Sequence, residues 1–416
     1  MLEDASGVLV TSESGAAIQR FEAGLRSFLA QRPDTGERLS EALALDPDLV
    51  VGHVLAGFCR MFAARAPLIG EAVACLERAR RALAARGGTR REHALVDALA
   101  AWASGGDMWR AAHLLDEALL REPRDVLALR LGHAVRFMLG DTAGMRIALE
   151  QALPHWSASD ASYPYVLGCH AFALGETGAL QRAEDIGRQA VAMRSDDLWA
   201  AHAVTHALAG LKRPREAVAW IAWMEPHMTC GGAFVRHIQW HRALAHLSLG
   251  EGEMALQQYP SFIWRDGLFE VRDVLNAASL LWRLQAAGLP VRGWMWDELA
   301  NVAEQRIGEH AWAFADLHYL LCLTGAGRTD QVRAMLASID THTRTCDTTQ
   351  AGVHADVGFT VAQAIAAAAA GNHEQAAAQL GATTPRLARL GGSIAQRAVL
   401  EQLRQRAEAA CGRRAM

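Results

Sequence analysis

Apolar residues recur along this chain at intervals of three and four, the spacing of one helix face, and the runs are broken by short polar or glycine-containing turns. The first such run covers 16–30, with Thr11 or Ser12 placed to cap it. A short helix follows to Leu45, and Asp46-Pro47 separates it from a third over 49–66, because a residue before proline is pushed out of the helical region. From Thr89 a repeat becomes visible. Gly106 is followed by Ala111 and Ala118, at plus five and plus twelve, and the same spacing returns at Gly178, Ala183 and Ala190. Gly140, Gly250, Gly327 and Gly371 fall at equivalent turns, with Ala255 and Ala376 again at plus five. The turns at Gly106, Gly140, Gly178 and Gly250 lie 34, 38 and 72 residues apart, with Lys212-Arg-Pro214 as the middle turn of the last interval. Such spacing predicts tetratricopeptide-type helix pairs: an all-α, tetratricopeptide-like α-solenoid of roughly twenty antiparallel helices.

Two interruptions bear on domain organisation. Pro154, Pro164 and the Ser/Asp-rich loop between them set N-terminal helical repeats over 1–153 apart from tetratricopeptide-like repeats over 154–416, within one continuous superhelix. A Thr/Asp-rich stretch over 344–352 precedes an apolar helix over 353–370, which is expected to lie buried inside that superhelix. Leu390-Gly-Gly-Ser393 caps a final helix.

Composition narrows the class. The low β-branched content and abundant Leu and Ala favour helices throughout. A net charge of −4 without runs of like charge gives no footprint for nucleic acid or an anionic membrane. All 41 basic residues but Lys212 are arginines, spread evenly enough to reflect coding composition rather than a binding patch. The seven cysteines (Cys59, Cys75, Cys169, Cys230, Cys322, Cys346, Cys411) form no CxxC pair, so a reducing compartment fits best. Residues 1–14 lack a signal-peptide pattern and no apolar run is long enough to span a membrane, so a soluble, cytoplasmic protein is expected.

The candidate chemistry is histidine. Ten of the seventeen sit on the helix preceding a repeat turn: His53, His133, His170, His202, His206, His237, His241, His246, His318 and His354. In tetratricopeptide stacks those helices line the concave surface, where a ligand would sit. His93, His113, His155, His227, His310, His342 and His373 read as loop, capping or outer-face residues without a role. Within the ten, His202 with His206 and His237 with His241 are pairs at i,i+4, so each pair points two imidazoles from one helix face. Two groups that would repel when both are protonated need water, an anion, a carboxylate or a metal beside them. Asp273, Asp316 with His318, and Asp356 are candidate carboxylates and partners, although Asp316 and His318 point about 200° apart on a helix and cannot both face one site. Arg283 beside Trp282 is placed to orient an anionic group, and Trp240 and Trp282 to form apolar walls. Four imidazoles admit a divalent metal on His202, His206, His237 and His241, but Ala203 and Ile238 stand where HExxH would place its glutamate. There is no phosphate loop and no GxSxG.

Motifs along the whole chain resemble the tetratricopeptide repeat protein 38 family. They are Thr11-Ser12, Asp46-Pro47 with Gly52-His53, Thr89-Arg-Arg-Glu92, Leu127-Ala-Leu-Arg-Leu-Gly-His133, Trp199-x-x-His202-x-x-x-His206, His237-x-x-Trp240-His241, Asp273, Leu281-Trp-Arg-Leu284, Asp316-x-His318, Asp356-Val-Gly and Gly391-Gly-Ser-x-Ala-Gln-Arg397. The resemblance implies a tetratricopeptide-like fold and no settled activity. Where the family pattern has Asp after the residues matching Tyr259 and Arg397, this chain has Pro260 and Ala398, so two carboxylates are missing.

Two functions follow as expectations. In the first, a pocket binds a small polar or anionic ligand, with His202, His206, His237, His241, Asp316 and His318 available for acid–base catalysis and Trp240, Asp273, Trp282, Arg283, His170, Asp356 and Arg397 for ligand contacts. In the second, a non-catalytic scaffold holds a partner peptide in an open groove. A homodimer is compatible with either.

Overall fold

The computed structural model describes residues 1–228, 232–263 and 270–414; Cys230 lies outside them. Apart from a two-residue antiparallel pair, β1 (Leu2–Glu3) with β2 (Leu9–Val10), every regular element of the described chain is helical. The chain divides into two compact units, Met1–Phe137 with Thr142–Ile238 and Met138–Asp141 with Gln239–Met416. The first holds α1 (Gly15–Leu29), α2 (Thr35–Leu45), α3 (Val50–Phe62), α4 (Ala66–Arg86), α5 (Arg90–Ala103), α6 (Met108–Arg121), most of α7 (Val126–Leu139), α8 (Thr142–Ala152), α9 (Tyr163–Glu176), α10 (Leu180–Met193), α11 (Leu198–Gly210) and α12 (Pro214–Met224). The division falls inside α13 (Gly232–Ser248), one unbroken helix. The second unit continues with α14 (Gly252–Ile263), α15 (Val271–Ala286), α16 (Gly293–Glu304), α17 (Ala313–Gly325), α18 (Thr329–Thr345), α19 (Thr349–Val353), α20 (Phe359–Ala369), α21 (His373–Thr383) and α22 (Ile394–Arg414).

Consecutive helices pack as hairpins, α1 on α2, α3 on α4, α5 on α6, α9 on α10 and α20 on α21, and the first helix of one hairpin also packs on the first of the next, as α3 does on α5 and α9 on α11. This is the helix-pair stacking of an all-α repeat fold. The sequence periodicity is its cause. Ala111, Ala183, Ala255 and Ala376 are wholly buried, and a methyl group is what lets paired helices approach closely. The preceding turns take the left-handed conformation at Gly106, Gly140, Gly178, Gly250, Gly327 and Gly371, while Lys212 adopts it (φ 59°) at the turn that lacks glycine.

Side-chain bonds repeat with the same period. Ser12 Oγ donates to Asp46, Arg91 to Asp125 and Arg124 to Asp160, across 34, 34 and 36 residues. Helix starts are tied in by these bonds. Thr89 and Glu92 form a capping box at α5, and the Thr11 amide and hydroxyl also bond Glu92, the hydroxyl at 2.6 Å. Thr11 and Ser12 therefore do not cap α1 as expected; Ser14 does, accepting from the Ala17 amide at 3.1 Å.

Residues 154–164, the expected boundary, form a short 3₁₀ turn and loop within the first unit. The apolar stretch 353–370 is interrupted near its start by one wider, π-helical turn, His354–Gly358, before α20. Such turns inside helices re-aim a side chain, and here it is His354, whose Nδ1 would lie 2.7 Å from any Cβ added at Gly358. No helix among the described residues is long and apolar enough to cross a membrane.

Candidate functional site

Helix α11 starts at a buried aspartate. Asp197 Oδ1 accepts from the amides of Trp199 and Ala200, both at 3.0 Å, which fixes the first turn. Gly168 on α9 permits this, since a Cβ there would stand 3.0 Å from both Ala200 Cβ and Asp197 Oδ2. One turn further, His202 and His206 leave α11 from one face. Both are buried, as are His237 and His241 on α13.

The two helices bring the rings together. His202 Nε2 lies 3.0 Å from His237 Nε2 and 2.9 Å from His206 Nε2. One turn along α13 from His237, His241 is buried as well. The separation of His202 from His237 is 35 residues, one repeat, so the same position on successive repeats supplies both. Glu176, at the end of α9, stands 3.2 Å from His206 Nδ1 and is buried with it. A carboxylate there holds the proton on Nδ1 and leaves the Nε2 lone pair turned toward the other rings. Phe172, Trp199 and Phe234 enclose the His202 ring at centroid distances of 5.6, 5.3 and 5.2 Å.

Hydrogen bonding accounts poorly for the centre of this group. An imidazole nitrogen carries either one hydrogen or one lone pair, so His202 Nε2 can make only one of its two short contacts a linear hydrogen bond. Nitrogen lone pairs that converge on one point fit a shared metal ion instead. With bonds of about 2.1 Å, such an ion separates its ligand nitrogens by about 3.0–3.4 Å.

The other predicted residues go elsewhere. Asp316 belongs to a second buried group, with Oδ2 2.9 Å from His310 Nδ1 and 2.8 Å from His354 Nε2. Burial pushes its carboxyl up, but the two imidazoles bring it net below the usual aspartate range. His310 reads from the sequence as a loop residue without a role, and the structure gives it one. It is buried, held at φ 45°, and its second nitrogen lies 2.8 Å from Ser338 Oγ. Here each contact can be an ordinary hydrogen bond to a carboxylate or hydroxyl, so the group ties the α16–α17 loop and the wide turn to α17. The atoms also lie within the span of a metal ion.

His318 faces away from Asp316, as the helical spacing requires, and donates from Nδ1 to the Phe314 carbonyl at 2.8 Å. Burial pushes its pKa down to about 4, so it is no acid–base group near neutrality. Arg283 donates to Gln402 Oε1 and the carbonyls of Ser279 and Ala395, pinning α22 to α15, and burial lowers its pKa to about 9. Asp356 pairs with Arg386 and Arg389, and Arg397 donates to the Gly391 and Gly392 carbonyls. The partners of these four side chains in the structure are protein groups.

Trp240 is buried, 4.8 Å from the His241 ring and 5.8 Å from the Arg283 guanidinium. Asp273 is buried and Trp282 half-buried on α15. His170 stands 3.8 Å from Glu150, apart from His202, His206 and His237, and His53 bonds the Pro47 carbonyl at 2.7 Å.

Buried neutral histidines set an acid limit on stability. Burial depresses His318 to about 4, and burial with the Arg130 cation depresses His133 well below its ordinary 6.5. The unfolded chain thus binds more protons across that window, so stability is full above pH 6.5 and falls as pH drops through it. His318 alone accounts for about 3 kcal/mol by pH 4. We expect urea midpoints to fall steeply between pH 6.5 and 4.5; a flat profile there would contradict the assigned neutral rings.

No known family profile matches the chain. Among solved structures it is similar to the tetratricopeptide-repeat domain of P58(IPK), at 12% identity over 84% of this chain and 88% of that one, with a TM-score of 0.23.

Proposed function

We propose that this chain is a helical-repeat protein that holds one divalent transition-metal ion on His202, His206 and His237 and presents it to a small anionic ligand. What carries the reading is the short double contact of His202 Nε2, with His206 turned inward by Glu176. The donor set selects the metal class. Imidazole suits zinc, copper, nickel and iron, whereas calcium and magnesium take oxygen ligands. The charge of the ion suggests the ligand: neutral imidazoles do not offset a dication, Glu176 beside His206 offsets it in part, and buried positive charge favours an anion. The site is read as binding, with catalysis unassigned. Membership of the tetratricopeptide repeat protein 38 family is part of the proposal, supported by the motifs quoted above.

Elemental analysis of the purified chain tests it, together with thermal melts before and after chelation. We expect about one equivalent of a transition metal, and a melting temperature that falls on chelation and recovers when the metal is restored. A chain that carries no metal, and whose melting temperature is unmoved by added zinc, copper, nickel or iron(II), would overturn the metal site.

Partner binding has a separate observation in its favour. Trp223, 54% exposed, stacks on Trp220 beside a cleft of about 500 Å³ lined also by Arg188, Val191 and Glu216. Aromatic side chains of this kind are common at protein interfaces.

A further inference from the structure

Helix α7 carries Arg130 and His133 on one face of the first unit, three residues apart, and both are buried. The Arg130 guanidinium lies 4.2 Å from the Trp199 ring centre and 5.8 Å from that of Phe28. Its Nε and Nη1 have no hydrogen-bond partner, and its polar contact is the Cys169 thiol. His133 stands edge-on to Phe172 and Trp199 at 5.8 and 5.6 Å, with neither ring nitrogen bonded. The Trp199 indole N–H and Asp197 Oδ2 are likewise buried and unpartnered.

Buried polar atoms in folded chains nearly always have partners, and an unpaired buried cation is among the costliest arrangements a fold can hold. Here orphan atoms from four residues gather around one indole. Two other buried aspartates at helix ends provide a comparison. Asp46 pairs with Arg86 at 2.9 Å and Asp125 with Arg91 at 2.6 Å, whereas Asp197 has no ion pair. Burial pushes the Asp197 carboxyl up to about 7, so it offsets the nearby Arg130 charge only in part.

We propose that Arg130, His133 and the Trp199 N–H bind the carboxylate of a small organic acid inside the first unit. The donors outnumber the acceptors, which selects an oxyanion. Phe28, Phe172 and Trp199 supply apolar walls, which select an organic carboxylate over inorganic phosphate. Trp199 also touches His202, so the acid lies one indole away from the histidine group. The inference goes beyond the reading above: protein donors alone hold this acid, and it does not depend on the metal ion.

The test is calorimetric titration of the full chain with benzoate, and separately with inorganic phosphate, in metal-loaded and chelator-treated protein. Benzoate is expected to bind both forms and to raise the melting temperature, with phosphate binding at least tenfold weaker. Arg130→Met should abolish binding while leaving the ligand-free melting temperature equal to or above that of the unmutated chain, because it removes an uncompensated charge. Trp199→Phe keeps the wall, loses the N–H, and should weaken benzoate several-fold. Binding confined to the metal-loaded form and retained in Arg130→Met would make the anion a metal ligand and overturn the proposal. Absence of benzoate binding in both forms, phosphate binding more tightly than benzoate, or a ligand-free Arg130→Met protein that is strongly destabilised would overturn it as well. A purified chain that carries no metal and takes none up, yet binds benzoate, would sink the metal site and leave this one standing.

Discussion

Replacing His202 with alanine is expected to empty the metal site, because its Nε2 is the atom shared by both short contacts. Metal content should drop from about one equivalent to background. Glu176→Gln should act more gently: it leaves every ligand in place but withdraws the carboxylate that orients His206, a kind of change that costs about 10–100-fold in metal affinity. Competition against a chromophoric chelator would read both effects on one scale. His318→Ala is the control, since that ring bonds a backbone carbonyl and should leave metal content unchanged. If His202→Ala and His318→Ala retain equal metal, the group of His202, His206 and His237 is a hydrogen-bonded cluster and the ion lies elsewhere.

The second large effect is predicted at the start of α7. Asp125 is buried, takes a two-point ion pair from Arg91 at 2.6 and 2.9 Å, and accepts from the amides of Leu127 and Ala128. Asp125→Ala removes a helix cap and the two-point partner of the buried Arg91 guanidinium, leaving it Asp4 at 3.7 Å and the neighbouring Glu92, which is itself bonded to Thr11 and Thr89. A loss of about 3–5 kcal/mol in urea unfolding is expected. Restoring packing with an apolar pair, Arg91→Met with Asp125→Leu, should recover much of it, because the penalty lies in the stranded charge. A loss below about 1 kcal/mol in the single variant would mean that Arg91 finds water or another acid. The position matters for ligand binding too, since α7 presents Arg130 and His133.

The helix pairs are legible in the sequence because one local rule recurs: a left-handed turn residue, then alanine at plus five after Gly106, Gly178, Lys212, Gly250 and Gly371, with a second alanine at plus twelve after Gly106 and Gly178. The histidine pairs are legible for the same reason. Spacing of four fixes a shared face, and spacing of 35 repeats the position on the next repeat. Partner choice is not encoded so locally. Asp316, Arg283, Asp356 and Arg397 have the right chemistry for a site, yet each finds a protein partner brought near by packing. His310 bonds Asp316 from a loop that no periodicity describes. Glu176 and Arg130 did leave a trace. Glu176 is the single acid in α9, and Arg130 is one of two charged residues in the apolar α7, where a charge is expensive unless it has a task.

The left-handed turn at Lys212 has a practical side. It places the one lysine of the chain, exposed, at the end of the helix that carries His202 and His206. An amine-directed label therefore has a single side-chain address, Lys212, in the native sequence. Metal and ligand occupancy could then be followed by fluorescence from that turn, without removing or adding a single thiol.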